Sequence, residues 1–175
     1  MATRYLPLLL LLLLLPASLF SFAVGIPYQA PEKTEEKVVV MEGIVYCQNC
    51  THVGSWSLAG AKPLPSAKVS ISCKDHKNRV SFYKAVQANG EGFFYAPLAG
   101  LKDYHVKRPT DACLVRLLSS PDARCNVLTN VNYGIEGARL QGKNKRITTG
   151  GYNAEIYAAG PLAFRPAHCP PRTLY

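Results

Sequence analysis

The stretch GIVYCQNCTHVG, residues 43–54, holds the side chains best equipped for chemistry. Cys47 and Cys50 stand three apart, and His52 follows two further on. Thiols at that spacing serve a redox pair, half of a zinc site, or the start of a disulfide framework. A zinc site would draw on Cys47, Cys50, His52, His168 and Cys169. His168 and Cys169 are adjacent, an awkward placement for two ligands of one tetrahedral ion. A redox pair needs its first thiol at a helix start, where the pKa is lowered. Here the pair ends the apolar run KVVVMEGIVYC, which reads as a strand. Residues i and i+3 of a strand point to opposite faces, so the two cysteines would bond to different partners. Asn49-Cys50-Thr51 also fits the N-glycosylation acceptor pattern, making Asn49 a candidate glycan site.

The compartment bears on the choice. Arg4 precedes an unbroken leucine run from Leu8 to Leu15, then Pro16, then Ser21-Phe22-Ala23. Residues 1–23 therefore read as a secretory signal peptide cleaved after Ala23. A retained membrane anchor is the rival, and Pro7 and Pro16 interrupt it. In an oxidising compartment the six cysteines, Cys47, Cys50, Cys73, Cys113, Cys125 and Cys169, read first as three disulfides, with the pairing left open by spacing alone. The expected destination is outside the cell, with no membrane contact after signal cleavage.

Catalytic frames are missing from the pattern. His52, His76, His105 and His168 stand in no GxSxG or HExxH setting, and the acidic residues are scattered. The expectation is a protein that is not an enzyme and uses no cofactor or metal. Charge is more informative. From Gly43 onward there are 17 Lys and Arg against 7 Asp and Glu. A basic extracellular domain suits polyanionic partners: acidic polysaccharide, glycosaminoglycan, nucleic acid or anionic membrane. The expectation taken forward is acidic polysaccharide and no nucleic acid. Three basic clusters are the candidate contacts: Lys74, Lys77 and Arg79; Lys102, Lys107 and Arg108; and Lys143, Lys145 and Arg146. All three are expected in loops. Among the aromatic residues Trp56, in the loop-like THVGSWSLAGAKPLP, is the best candidate for stacking on a sugar, with packing over the neighbouring disulfides as the alternative.

The elements that must position these residues follow from a period of two. Residues 24–42 read as a flexible lead-in, 43–169 as one domain and 170–175 as a tail. In AKVSISCK, Val69, Ile71 and Cys73 share a face. In NRVSFYKAV, Val80, Phe82 and Val86 do so, with Lys84 out of pattern. Asn89-Gly90 marks a tight turn into GFFYAPL, and DACLVRLL and GGYNAEIYAAGPLAF supply later strands. No helical stripe of three turns occurs. The expected fold is all-β, a small antiparallel barrel or sandwich stapled by three disulfides.

The segments GIVYCQNC, PLPSAKVSISCK, NGEGFF, CLVRLLSSPDARCNVLTNVNYGIEGARL and AAGPLAFRPAHC together resemble the plant Ole e I-like pollen allergen and extensin family. The resemblance is closer to the branch with the cysteine-containing domain of proline-rich and arabinogalactan wall proteins. It runs from Gly43 to Cys169 and includes Ser-Pro-x-x-x-Cys and Gly-Pro-x-x-Phe-x-Pro-x-x-Cys. It implies the pairing Cys47–Cys125, Cys50–Cys169 and Cys73–Cys113. It also implies a small β-barrel or sandwich and an extracellular cell-wall protein of fast-growing cells such as root hairs or pollen tubes. The implied partner is pectin-like wall polysaccharide, possible company being other wall glycoproteins, and no catalysis is implied. A long Pro- or His-rich segment common in that branch is represented only by VGIPYQAPEKTEEK, and Leu128 replaces its usual proline. The expected function is association with acidic pectic polysaccharide that contributes to wall structure. The alternative is a secreted signalling or interaction protein that binds a protein partner.

Overall fold

A computed structural model describes residues 36–106, 108–149 and 152–170. The signal segment, most of the lead-in, Lys107 and residues 171–175 lie outside the described residues. Ten strands are described: β1 (Glu36–Cys47), β2 (Lys62–Pro63), β3 (Lys68–Lys74), β4 (Val80–Gln87), β5 (Phe93–Leu98), β6 (Cys113–Ser119), β7 (Val127–Leu128), β8 (Ala138–Arg139), β9 (Gln141–Thr149) and β10 (Tyr152–Arg165). Among the described residues helix is confined to single turns, the one α-helical turn there being α1 (Pro109–Ala112).

β1 corrects the boundary of the lead-in. It starts at Glu36, so residues 36–42 belong to the domain. Its backbone pairs with β10 along one edge from Glu36, and with β5 and then β2 along the other from Val39. A segment whose backbone groups are taken up in a sheet ladder is part of the domain and is not a lead-in. The run Val38-Val39-Val40-Met41 also has a physical reason. Met41 and Val45 face the main core, whereas Val38 and Val40 form a second buried cluster with Ala154 and Ile156. A strand buried on both faces reads as a continuous apolar run.

The strands form two sheets. One holds β1, β2, β5, β7, β9 and β10; the other has the order β4-β3-β6-β8. The core between them includes Met41, Val45, Val69, Ile71, Phe94, Val115, Leu162 and Phe164. The fold is a sandwich; the sheets do not close into a barrel. Nor is it wholly antiparallel, because the two longest strands, β1 and β10, run parallel at the centre of the larger sheet. Parallel neighbours need a long crossover, and here nearly the whole domain lies between them.

Two local features gain detail. Lys84, the polar residue on the β4 face with Phe82 and Val86, donates its ammonium to the Pro97 carbonyl at 2.9 Å. The turn marked by Asn89-Gly90 extends to Gly92, which carries the positive φ of 77°. Asn89 Oδ1 accepts the amides of Glu91 and Phe93 and so shapes the turn.

Candidate functional site

At one end of the sandwich β1 delivers Cys47, Gln48 and then a 3₁₀ turn over Cys50–His52. The cysteines bond as Cys47–Cys125, Cys50–Cys169 and Cys73–Cys113, the pairing that the resemblance implies. With Cys47 and Cys50 each bonded elsewhere, the spacing CQNC is neither a dithiol redox pair nor half of a zinc site. Gln48 between them is 1% exposed. Its amide nitrogen donates to the carbonyls of His52, Ser55 and Ser57 at 2.9–3.0 Å. One buried side chain thus gathers the loop that presents Trp56. Asn49 is exposed at the start of the turn, its Oδ1 accepting the amide and hydroxyl of Thr51.

Trp56 is 53% exposed and meets Tyr133, 51% exposed, with ring centroids 5.1 Å apart and planes at 87°. The indole is therefore not a buried core residue. Beside it lies a hollow of about 240 Å³ bordered by Ser55, Thr129, Asn130 and Arg165.

The basic clusters occupy the other end. Lys74 ends β3, and Lys77 and Arg79 lie in the turn to β4. Asp75 organises that turn: its Oδ1 accepts the amides of Lys77 and Arg79, and its Oδ2 accepts two bonds from the Arg79 guanidinium. These bonds, the Arg79 amide first, hold the Asp75 carboxyl at a pKa of about 2. Lys102 stands in the 3₁₀ turn Leu101–Tyr104, and Arg108 pairs with Asp111 at 2.6 Å. The two clusters meet: Lys74, His76, His105 and Arg108 border one hollow, and the His76 and His105 rings are 6.0 Å apart. Lys107, in the second cluster, lies outside the described residues.

The third cluster is not in a loop. Lys143, Lys145 and Arg146 lie in β9, which pairs with β10. Exposed charges suit a strand with one free edge, since they oppose pairing with another chain. Arg146 stands opposite Glu155 in the register. Glu155 and Tyr157 in turn line a cavity of about 440 Å³ at the mouth between the sheets, walled by Val39, Leu98, Leu101 and Val106 and reached by Lys102 and Arg108. Burial, and then the charge of Glu155, raise the Tyr157 phenol. The structure therefore gathers the described members of the three clusters around one end and holds Trp56 apart from them.

No family profile matches the chain. It is 32% identical over 146 residues to non-classical arabinogalactan protein 30 of Arabidopsis thaliana, covering 79% of this chain and 56% of that one. It is 31% identical over 105 residues to a pistil-specific extensin-like protein of Nicotiana tabacum, covering 60% of this chain and 23% of that one. Proline-rich protein 3 of Arabidopsis thaliana is 26% identical over 143 residues, 79% of this chain and 41% of that one. The chain thus spans about half the length, or less, of these curated relatives. The crystal structure of the major plantain pollen allergen Pla l 1 superposes with a TM-score of 0.56 at 24% identity, covering 77% of this chain and 98% of that one. The chain has the fold of that pollen allergen, and its sequence is similar to arabinogalactan, extensin-like and proline-rich proteins of plants.

These likenesses support a plant extracellular protein, and its three closed disulfides fit folding in an oxidising compartment. Two features of this domain are not readable from the sequence. Gln48 lay in view within CQNC, but nothing in the pattern says that a glutamine will be buried with three carbonyls around it. Tyr133 is one aromatic residue among several, and its pairing with Trp56 joins segments far apart in the sequence. The cue for both is the two disulfides that fold this end together.

Proposed function

We propose that this is a secreted, non-enzymatic plant cell-wall protein whose basic end associates with acidic pectic polysaccharide and so contributes to wall structure. One observation carries the reading: Lys74 and Arg108 line one hollow and Lys102 and Arg108 the adjoining cavity, although the three come from separate elements, and Arg146 stands opposite Glu155, which lines that cavity. Arg79 and Arg108 are tied to Asp75 and Asp111. Among the described residues Lys74, Lys77, Lys102 and Lys143 have no ion-pair partner, which leaves their charge for a ligand. Pectic carboxylates recur along a chain, so several weak contacts act together through effective concentration. Relatives named for arabinogalactan, extensin and pollen support a wall setting, with fast-growing cells such as pollen tubes or root hairs as the place to look. The test is retention of the mature protein on pectin of high and low methyl-esterification while salt is varied. Retention that rises with de-esterification and collapses with salt supports the reading. Retention indifferent to both would discard it and favour a protein partner.

A further inference from the structure

We propose that Trp56 and Tyr133 form a second carbohydrate site, one that takes an uncharged sugar ring by stacking. The inference goes beyond the association with acidic polysaccharide and does not depend on it. Two large aromatic side chains, each more than half exposed, meet at a right angle and make a corner. Exposed aromatic surface is costly to leave in water and marks binding sites when it is held rigidly. This corner is held rigidly. Gln48 fixes the Trp56 loop through three carbonyls. Tyr133 sits in left-handed backbone at φ 64°, next to Asn132 at φ 48°, an uncommon conformation for residues other than glycine. Four further bonds clamp its turn: Asn132 Nδ2 donates to the Pro161 carbonyl at 2.7 Å, the Gly137 amide donates to the Tyr133 carbonyl at 2.6 Å, and Asn130 Oδ1 accepts the amides of Ile135 and Glu136.

The surroundings point to a sugar. The hollow beside Trp56 is lined by the polar residues Ser55, Thr129, Asn130 and Arg165 together with the apolar Leu128 and Val131. A pyranose presents the same mixture, with C–H groups on its ring face and hydroxyls at its rim. At about 240 Å³ the hollow is of the size of one or two sugar rings and far below the extent of a stable protein interface. Arg165 is the only charged residue lining the hollow among the described residues, so an uncharged ring fits better than a polyanion. The site is also remote from the basic end. Val39 lines the basic cavity, and Cys47, beside Gln48, lies eight residues along β1. At about 3.3 Å per residue the separation is roughly 26 Å. A molecule gripping a polyanion at one end and a neutral chain at the other would join two polymers.

Trp56 is the only tryptophan in the sequence, so its emission reports this site alone. The experiment titrates the glycosylated, disulfide-bonded mature protein with neutral β-linked gluco-, galacto- and xylo-hexasaccharides. Salt is held at about 0.5 M, where attraction between exposed charges is screened. A saturable blue shift with at least one sugar is expected. Tyr133→Asn keeps a residue that tolerates left-handed backbone. It should weaken binding about five- to tenfold, the size of a lost aromatic contact, with an unchanged melting midpoint. Trp56→Leu should abolish retention of the protein in a gel containing the responding polysaccharide. No shift with any of the three sugars overturns the proposal, as does equal affinity in Tyr133→Asn. A shift already present before sugar is added, and removed by Asn49→Gln, assigns the corner to the protein's own glycan and overturns it too. So does an emission change that tracks protein concentration, which assigns the corner to a second copy. Failure of pectin retention at low salt leaves this readout unmoved, so the two readings fail separately.

Discussion

Gln48 is the residue on which the Trp56 loop depends, because its buried amide nitrogen ties together the carbonyls of His52, Ser55 and Ser57. Gln48→Leu keeps the volume and removes the donors. Unsatisfied buried groups cost about 1–3 kcal/mol, so the denaturant midpoint should fall by that amount. Trp56 emission should shift as the loop loosens, and an unchanged midpoint would show that water replaces the amide without loss. Asp75 makes the acid response legible. Its side chain is 6% exposed, and its pKa of about 2 lies below the ordinary 3.8. A carboxyl held below its unfolded value contributes stability that is complete above that value and is lost as pH falls through the folded one. Stability should therefore decline between pH 4 and pH 2, with Asp122, lowered by the Arg124 amide, acting in the same direction. Asp75→Asn should be less stable than wild type at neutral pH and show a flatter decline; parallel curves in an acid titration of unfolding would contradict this.

At the scale of the strand, Gly43 is where β1 is squeezed between its neighbours. A Cβ there would lie 2.4 Å from the Phe94 ring and 2.5 Å from the Ala159 carbonyl oxygen. The ring is fully buried and the carbonyl is backbone of β10, so neither yields cheaply. The register of β1 against β10 shifts just beyond this residue, between Gly43 and Val45. Gly43→Ala should destabilise the domain by about 1–3 kcal/mol, as overpacking does. Its crowding acts at the inter-sheet core and not at either end, so Trp56 emission in the folded state should not move. Thermal unfolding and emission spectra together check this.

At the scale of the molecule, the basic residues matter by their placement around one end. Replacing Lys143, Lys145 and Arg146 together by Gln removes three charges from a strand whose described side chains there, Lys143 and Arg146, are exposed. Retention on de-esterified pectin at low salt should drop by roughly threefold to tenfold, the sum of three exposed ionic contacts. The melting midpoint should stay nearly where it was, since exposed substitutions rarely change stability. Comparable triple variants at Lys74, Lys77 and Arg79, and at Lys102, Lys107 and Arg108, should act alike. Wild-type retention in all three would mean that charge is not what holds the polysaccharide.

Much of this was legible in the sequence because it depends on local period or local chemistry. Alternation in KVSISCK marks β3 with Val69, Ile71 and Cys73 buried, and the even cysteine count marks a disulfide frame. The net positive charge of the domain is likewise a property of composition. What the sequence could not determine are the pairings between distant segments. A period of two says nothing about direction, so the parallel pairing of β1 with β10 came only from the tertiary structure. Charged residues look alike in a loop and on an edge strand, so the position of Lys143 and Arg146 in β9 was decided by hydrogen bonds to β10. The meeting of Trp56 with Tyr133 is of the same kind: each ring is placed by its own loop, and only the folded backbone, closed by Cys47–Cys125 and Cys50–Cys169, brings the two loops into contact.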